Sequence, residues 1–365
     1  VQIDTFEIGN EYYVNGRMTA AEYGMVANRV TLELADSFDE YLSHLPARTA
    51  WEEPKIAVQA GAGWLPADND AIIGAFSMKA RGEVDVVVGH FYPKTLDSVE
   101  KFDGLYKSLE AWNDEAGFSK LETWMSEWNV RNGETSDHGL YQASSAIAVF
   151  DEMIVRGIDA ASIWGAQHQN LHSKLVSVRS HDLNSPTDES FTTYATATGQ
   201  ILVEMRSDLI GLRSLDLDPD NFLNLRGGND IDVHGFGNSG RAVIFISSRS
   251  DTAQVVDLDL DEYFQGRTHM HATSIVAVDD PRTLEFDESD PLSPHSRVAV
   301  HSITNNDLVA DDGKITLAPG EILKVEVNFQ KSGVYIAGVD PLDPLPTDDY
   351  DDRFVGSDYG DYIKG

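Results

Sequence analysis

Read as a string of apolar and polar positions, the chain changes period once, near Leu215. Before that point, short apolar runs alternate with longer stretches in which apolar residues recur every three or four positions. The runs VQIDTFEI, KIAVQAG, VDVVVGHFYP, LETWMSEWNV and DAASIWGA predict strands. Between them, TAAEYGMVANRVTLELADSFDEYLSHL, SVEKFDGLYKSLEAWNDEAG and GLYQASSAIAVFDEMIVRG predict helices, and TYATATGQILVEMRSDLIG predicts a helix that closes this part. Strand and helix in alternation predict parallel β/α units. Beyond Leu215 the runs RAVIFISSRS, AQVVDLDL, THMHATSIVAV, RVAVHSI and KITLAPGEILKVEVNF are separated by turn residues, which predicts an antiparallel β-sandwich. The Pro- and Asp-rich stretch DPLDPLPTDDYDD reads as a linker. The expected domains are 1–213 for the β/α part, 214–338 for the sandwich, and 339–365 for an acidic linker with a short repeat-like end.

Length and composition narrow the function classes. A chain of 365 residues, 41% of them hydrophobic, is long enough for two domains and a large core. The 61 acidic residues against 27 basic give a formal net charge of −34, which repels a phosphate backbone and an anionic membrane surface. Nucleic acid and membrane are therefore not expected as partners. Without cysteine there are no disulfides, and the redox compartment cannot be read from them. No apolar run approaches the roughly 20 residues that span a bilayer, and no charged-then-apolar signal segment opens the chain. The expectation is a soluble chain, or a processed or trimmed product.

Parallel β/α domains place their chemistry at the carboxyl ends of the strands. Those ends hold Asn10 and Glu11, Gly61 to Trp64, His90 and Tyr92, Glu127 to Asn129, and Trp164. The first lies in FEIGNEYY, where glycine and asparagine suit a strand's end that opens into a site better than a strand's middle. Two glutamates, a His-x-Tyr and a tryptophan at successive ends are more than packing requires.

EIGNE and SEWN resemble the acid/base and nucleophile motifs of clan A retaining glycoside hydrolases, (β/α)8 TIM-barrel enzymes that include arabinofuranosidases, xylosidases and heparanase-like β-glucuronidases. The resemblance covers roughly residues 1–213, and its order implies barrel strands four to eight, with strands one to three absent from this chain. It implies a secreted O-glycosyl hydrolase that cleaves polysaccharide or oligosaccharide by double displacement, with no cofactor for catalysis. Glu127 would be the nucleophile and Glu11 the acid/base, which such chemistry needs about 5 Å apart. Glu11 would need a raised pKa, from burial and from the charge opposite. Asn10 would bind a sugar hydroxyl, Tyr92 would hold Glu127 in line, and His90 would line the site. Trp64, Trp128 or Trp164 would offer the sugar an apolar face, Trp164 being preferred. Taken singly, each has a duller reading: a solvated acid, a core tryptophan, a hydrogen-bonding histidine. His168, His172, His269 and His271 read as surface residues, since no partner is spaced to complete a metal site.

The closing VGSDYGDYIKG resembles the start of the glycine- and aspartate-rich repeats of RTX (hemolysin-type) proteins. That resemblance implies structural Ca2+ at Asp358 and Asp361, type I secretion from a Gram-negative bacterium, and a natural protein that continues further. A flexible acidic tail is the alternative reading. An open five-strand parallel sheet would leave raw edges, so an N-terminal segment or companion chain that completes the barrel is expected. The rival is an open α/β sheet with its own topology. In function, the alternative is a non-catalytic, calcium-dependent carbohydrate-binding or RTX surface/adhesion protein.

Overall fold

In the computed structural model the chain is described over residues 3–44, 53–62, 65–131, 137–165, 175–180, 191–215, 217, 230–238, 240–257, 267–278, 298–303, 314–329, 353–356 and 362–364. The first half is β1 (Thr5–Ile8), α1 (Ala20–Ser43), β2 (Lys55–Gln59), α2 (Pro66–Gly74), α3 (Met78–Arg81), β3 (Val86–Phe91), α4 (Phe102–Asn113), β4 (Glu122–Trp128), α5 (Gly139–Val155) and β5 (Ala160–Ile163). A hairpin of β6 (Val176–Ser180) and β7 (Phe191–Ala195) leads into α6 (Ala197–Asp208). The second half is β8 (Arg213–Leu215), β9 (Ile231–Gly237), β10 (Arg241–Ser248), β11 (Gln254–Asp257), β12 (Arg267–Ala277), β13 (Val298–Ile303), β14 (Lys314–Leu317) and β15 (Ile322–Phe329), followed by β16 (Arg353–Gly356) and β17 (Tyr362–Lys364).

Strands β1 to β5 pair in parallel and in sequence order, which is the arc of a β/α barrel. The central strand β3, VVVGHF, is buried throughout, as a parallel strand covered on both faces should be. Helix α1 starts where a capping box allows: Thr19 accepts from the Glu22 amide, and Glu22 accepts from the Thr19 amide. Its buried residues Ala20, Tyr23, Ala27, Thr31, Ala35 and Phe38 follow the helical spacing. Helix α5 is apolar nearly all round and correspondingly buried, because the parallel sheet lies on one side and the antiparallel domain on the other.

The antiparallel sheet has the order β13-β12-β15-β10-β9-β8, and β11 pairs with β14 in a separate ladder. Along β10 the side chains divide by parity. Val243 and Phe245 join the core shared with α5, where Phe236 meets Phe150 at 5.8 Å; Ala242, Ile244 and Ile246 pack with Val256 and Leu317 of the second ladder. Three charged clusters tie this domain to the helices. Lys324, 4% exposed, sits against Glu204 and Asp208 of α6 and Glu326 of its own strand. Arg249 pairs with Asp137 at 2.7 Å. His234 lies between Asp151 of α5, at 2.7 Å, and Asp232, at 3.2 Å.

Several expectations need correction. Thr193 to Ala195, expected at the start of the closing helix, lie in β7, and the helix begins after Thr196, whose hydroxyl accepts from the Gly199 amide. Helices α2 and α3 and strand β9, IDVHGFG, were not expected. The C-terminal β16 pairs in parallel with β5 and antiparallel with β17, so these residues extend the parallel sheet. Asp358 and Asp361, the candidate calcium ligands, lie outside the described residues. No helix among the described residues is long and apolar enough to cross a membrane.

Candidate active site

The site grows from the carboxyl ends of β1, β3, β4 and β5. Strand β1 ends at Gly9, whose φ of +88° only glycine adopts freely, and where a Cβ would lie 2.6 Å from Tyr23 Cε2. That ring is fixed: the Tyr23 hydroxyl donates to the Ile8 carbonyl at 2.6 Å and accepts from the Gln59 amide at 2.9 Å. The chain must leave the sheet there. Glu11 itself has φ 46°, a left-handed conformation rare for glutamate and worth about 1 kcal/mol of strain. The next residues hold the turn. Tyr12 stacks on Tyr23 at 4.7 Å and donates to Asp68 Oδ2 at 2.9 Å.

On β4 the register shifts between Met125 and Trp128 relative to β5, and on β3 between Gly89 and His90 relative to β4. Such a bulge reverses the alternation of side chains. It places both Ser126 and Glu127 on the concave side and sends Trp128 back among the helices.

These turns bring Glu11, His90 and Glu127 together. One carboxylate oxygen from each glutamate and one nitrogen of His90 all lie within 4.8 Å of one another. His90 Nδ1 is 3.3 Å from Glu11 Oε1 and 3.4 Å from Glu127 Oε2. Tyr92 donates its hydroxyl to Glu127 Oε2 at 2.6 Å. Burial, and then the Glu127 bond and charge, push the Tyr92 phenol far up, so it stays a proton donor. Tyr13 is pushed up by burial and by Glu11 and Glu127. For His90, burial lowers the pKa, but the bond to Glu11 and the charges of Glu7 and Glu127 outweigh it and raise the value to about 9. His90 Nδ1 thus faces a carboxylate oxygen of each glutamate, and the trio forms one charge-coupled cluster.

The other expected residues are placed unevenly. Asn10 is exposed beside Glu11, and its carbonyl accepts from Arg17 at 3.3 Å. Trp164 is 39% exposed, and its amide bonds the Trp128 carbonyl at 2.9 Å. Trp128 is a correction: it is wholly buried in the helix-side core and presents no face to a sugar, because the β4 bulge turns it away. Trp64, His168 and His172 lie outside the described residues. His269 is exposed and His271 half-buried. Three residues were missed: Glu7 and Ser126 lie below the cluster and Tyr13 beside it. Asn129, expected at the end of its strand, donates to the Trp164 carbonyl at 2.6 Å and links the ends of β4 and β5. The signal for Glu7 was present as a lone acid in an apolar strand, four residues before Glu11.

No protein-family model and no curated protein matches the chain. Solved structures do. The arabinose complex of alpha-L-arabinofuranosidase from Thermotoga maritima aligns with a TM-score of 0.54 at 16% identity, over 89% of this chain and 66% of that one. A family 51 alpha-L-arabinofuranosidase from Bifidobacterium longum gives 0.55 at 14% identity, over 89% and 67%. The thermostable GH51 alpha-L-arabinofuranosidase from Thermotoga petrophila gives 0.52 at 14% identity, over 89% and 66%. The chain shares the fold of these arabinofuranosidases. It spans about two thirds of their length. The curled parallel half-barrel and the antiparallel sheets that follow it are therefore the two parts of one known architecture.

Proposed function

We propose that the chain carries the reacting half of a retaining O-glycosyl hydrolase, with Glu127 as nucleophile and Glu11 as acid/base. The observation that carries this reading is the pair of carboxylates, oxygens within 4.8 Å, one from the end of β4 and one from the turn that follows β1. That spacing matches the roughly 5–5.5 Å of retaining enzymes and is too short for the intervening water that inversion needs. Tyr92 leaves one Glu127 oxygen free and orients it toward the anomeric carbon. Glu11 protonates the departing oxygen and then draws the proton from the water that releases the glycosyl group. Trp164 offers its exposed face to the sugar's C–H surface.

The likeness to arabinofuranosidases supports the reaction class and leaves the sugar open. The concave face of the arc supports a further part of the reading. Lys55 pairs with Glu122 and lies over Trp124 at 5.6 Å, and these groups are half-exposed where a closed barrel would cover them. We infer that additional parallel β/α units, from an N-terminal segment or a companion chain, complete the barrel against β1. Secretion and calcium binding by the C-terminal repeat remain proposals on the sequence resemblance alone.

A panel of aryl glycosides assayed with the parent, Glu127→Gln and Glu11→Gln tests the reading. Both variants are expected to lose turnover, and product anomers followed by NMR are expected to retain configuration. Equal activity in all three proteins, or inversion, ends the proposal; glycan binding without turnover in the parent favours the binding-protein alternative.

A further inference from the structure

Beneath the two carboxylates lies a third that the proposed chemistry does not use. Glu7 sits on β1, one strand turn below Glu11, with its side chain 32% exposed. Its Oε1 accepts from Ser126 Oγ of β4 at 3.2 Å and faces His90 Nε2 of β3 at 3.9 Å. The His90 side chain is 2% exposed, and its Nε2 has no hydrogen-bond partner. The ring is thus held between three acids: Glu11 and Glu127 on the Nδ1 side and Glu7 on the Nε2 side. The titratable groups that face it, among the described residues, are Glu7 and Glu11 from β1 and its turn, and Glu127 from β4. Tyr13 and Tyr92 stand behind the latter two and stay protonated.

We infer that Glu7 is a positioning residue: anchored by Ser126, it holds His90 in the charged form whose Nδ1 proton lies between Glu11 and Glu127. The inference rests on the reading of those two glutamates as the reacting pair. At each stage of the proposed reaction one of the pair carries negative charge in a partly dry cleft, Glu127 before attack and Glu11 after it has given up its proton. A buried imidazolium beside both stabilises whichever is ionised and restrains the two oxygens by its shared proton. Burial alone would strip His90 of its charge, as it does for buried histidines in general. The carboxylate on the far nitrogen opposes that, and the proposed chemistry does not use it. Glu7 therefore keeps the cation in place while Glu11 gives and takes its proton.

The sign follows from the direction of the shift. A group raised above its ordinary value is charged below the raised value and loses the charge as pH climbs through it, here about 9. Removing Glu7 lowers that midpoint, by about 1 unit for a charge at this distance.

The test uses the full chain labelled with 15N-histidine and titrated by NMR, with the His90 signal assigned by its loss in His90→Asn. Glu7→Gln, nearly isosteric, is expected to move the His90 midpoint to lower pH by about 1 unit. Ser126→Ala should move it less in the same direction, and Glu7→Asp should restore part of it. In turnover of an aryl glycoside, the alkaline limb of kcat should shift with the NMR midpoint while KM changes little. Parent-like His90 titration in Glu7→Gln overturns the inference, whatever happens to melting temperature. An inactive parent would refute the hydrolase reading, while the NMR shift would still decide whether Glu7 controls His90.

Discussion

Replacing Gly9 by alanine probes the joint where fold becomes site. Two penalties can be worked from the structure. An alanine held at φ +88° loses about 1 kcal/mol relative to glycine. Its Cβ would also lie 2.6 Å from Tyr23 Cε2, where real contacts are longer. The ring cannot retreat freely, since it is 2% exposed, stacked on Tyr12, and bonded through its hydroxyl to the Ile8 carbonyl and the Gln59 amide. Displacing it weakens two buried bonds, each worth about 1 kcal/mol. The total is about 3 kcal/mol of destabilisation, readable as a lower urea midpoint at unchanged slope. The second effect is catalytic. Gly9 lies two residues before Glu11, and re-aiming that carboxylate by about 1 Å should reduce kcat on an aryl glycoside by roughly 100-fold. A Gly9→Ala protein that loses under about 1 kcal/mol and keeps parental kcat would refute this account of why the chain turns there.

Three further outcomes are expected. Tyr92→Phe removes the 2.6 Å bond to Glu127, and since a bond to a charged group is worth about 1.5–3 kcal/mol, kcat should fall roughly 10- to 100-fold with KM nearly constant; a loss under about twofold counts against its orienting role. Lys324→Ala leaves Glu204, Asp208 and Glu326 facing one another without their cation, and calorimetry or urea titration should show a loss of about 3–5 kcal/mol. His234 is lowered by burial but raised more strongly by Asp232 and Asp151, to about 10. Its stabilisation is whole below the unfolded value of roughly 6.5 and is lost as pH rises toward 10. Melting temperature should accordingly decline over that window in the parent and decline less in His234→Gln; parallel curves would refute the linkage.

Much of the architecture was legible because period is local. The strands later numbered β1 to β5 are apolar runs long enough to recognise, and the helix between β1 and β2 carries both its cap and its buried stripe in sequence. What escaped has physical causes. Strand β9 holds two glycines and a histidine, residues poor in strand propensity, and it forms because its neighbours β10 and β8 pair with it from either side. The start of the closing helix was misplaced because Thr193 to Ala195 can serve either state, and pairing with β6 decides. Trp128 was misassigned because the face it takes is set by the bulge in β4, which depends on the register with adjacent strands and leaves no mark in the β4 sequence.

By itself, then, the order of residues determined the alternation of strand and helix, the change of period near Leu215, and the two motifs that carry Glu11 and Glu127. These depend on side-chain chemistry over a few neighbouring positions, which sequence displays directly. Only the tertiary structure decided that the two acids share one cleft, that His90 stands between them with Glu7 behind it, and that Lys324 and His234 join the domains through buried charge. Such facts depend on how separate strands register against one another, and that is fixed by packing across the whole core.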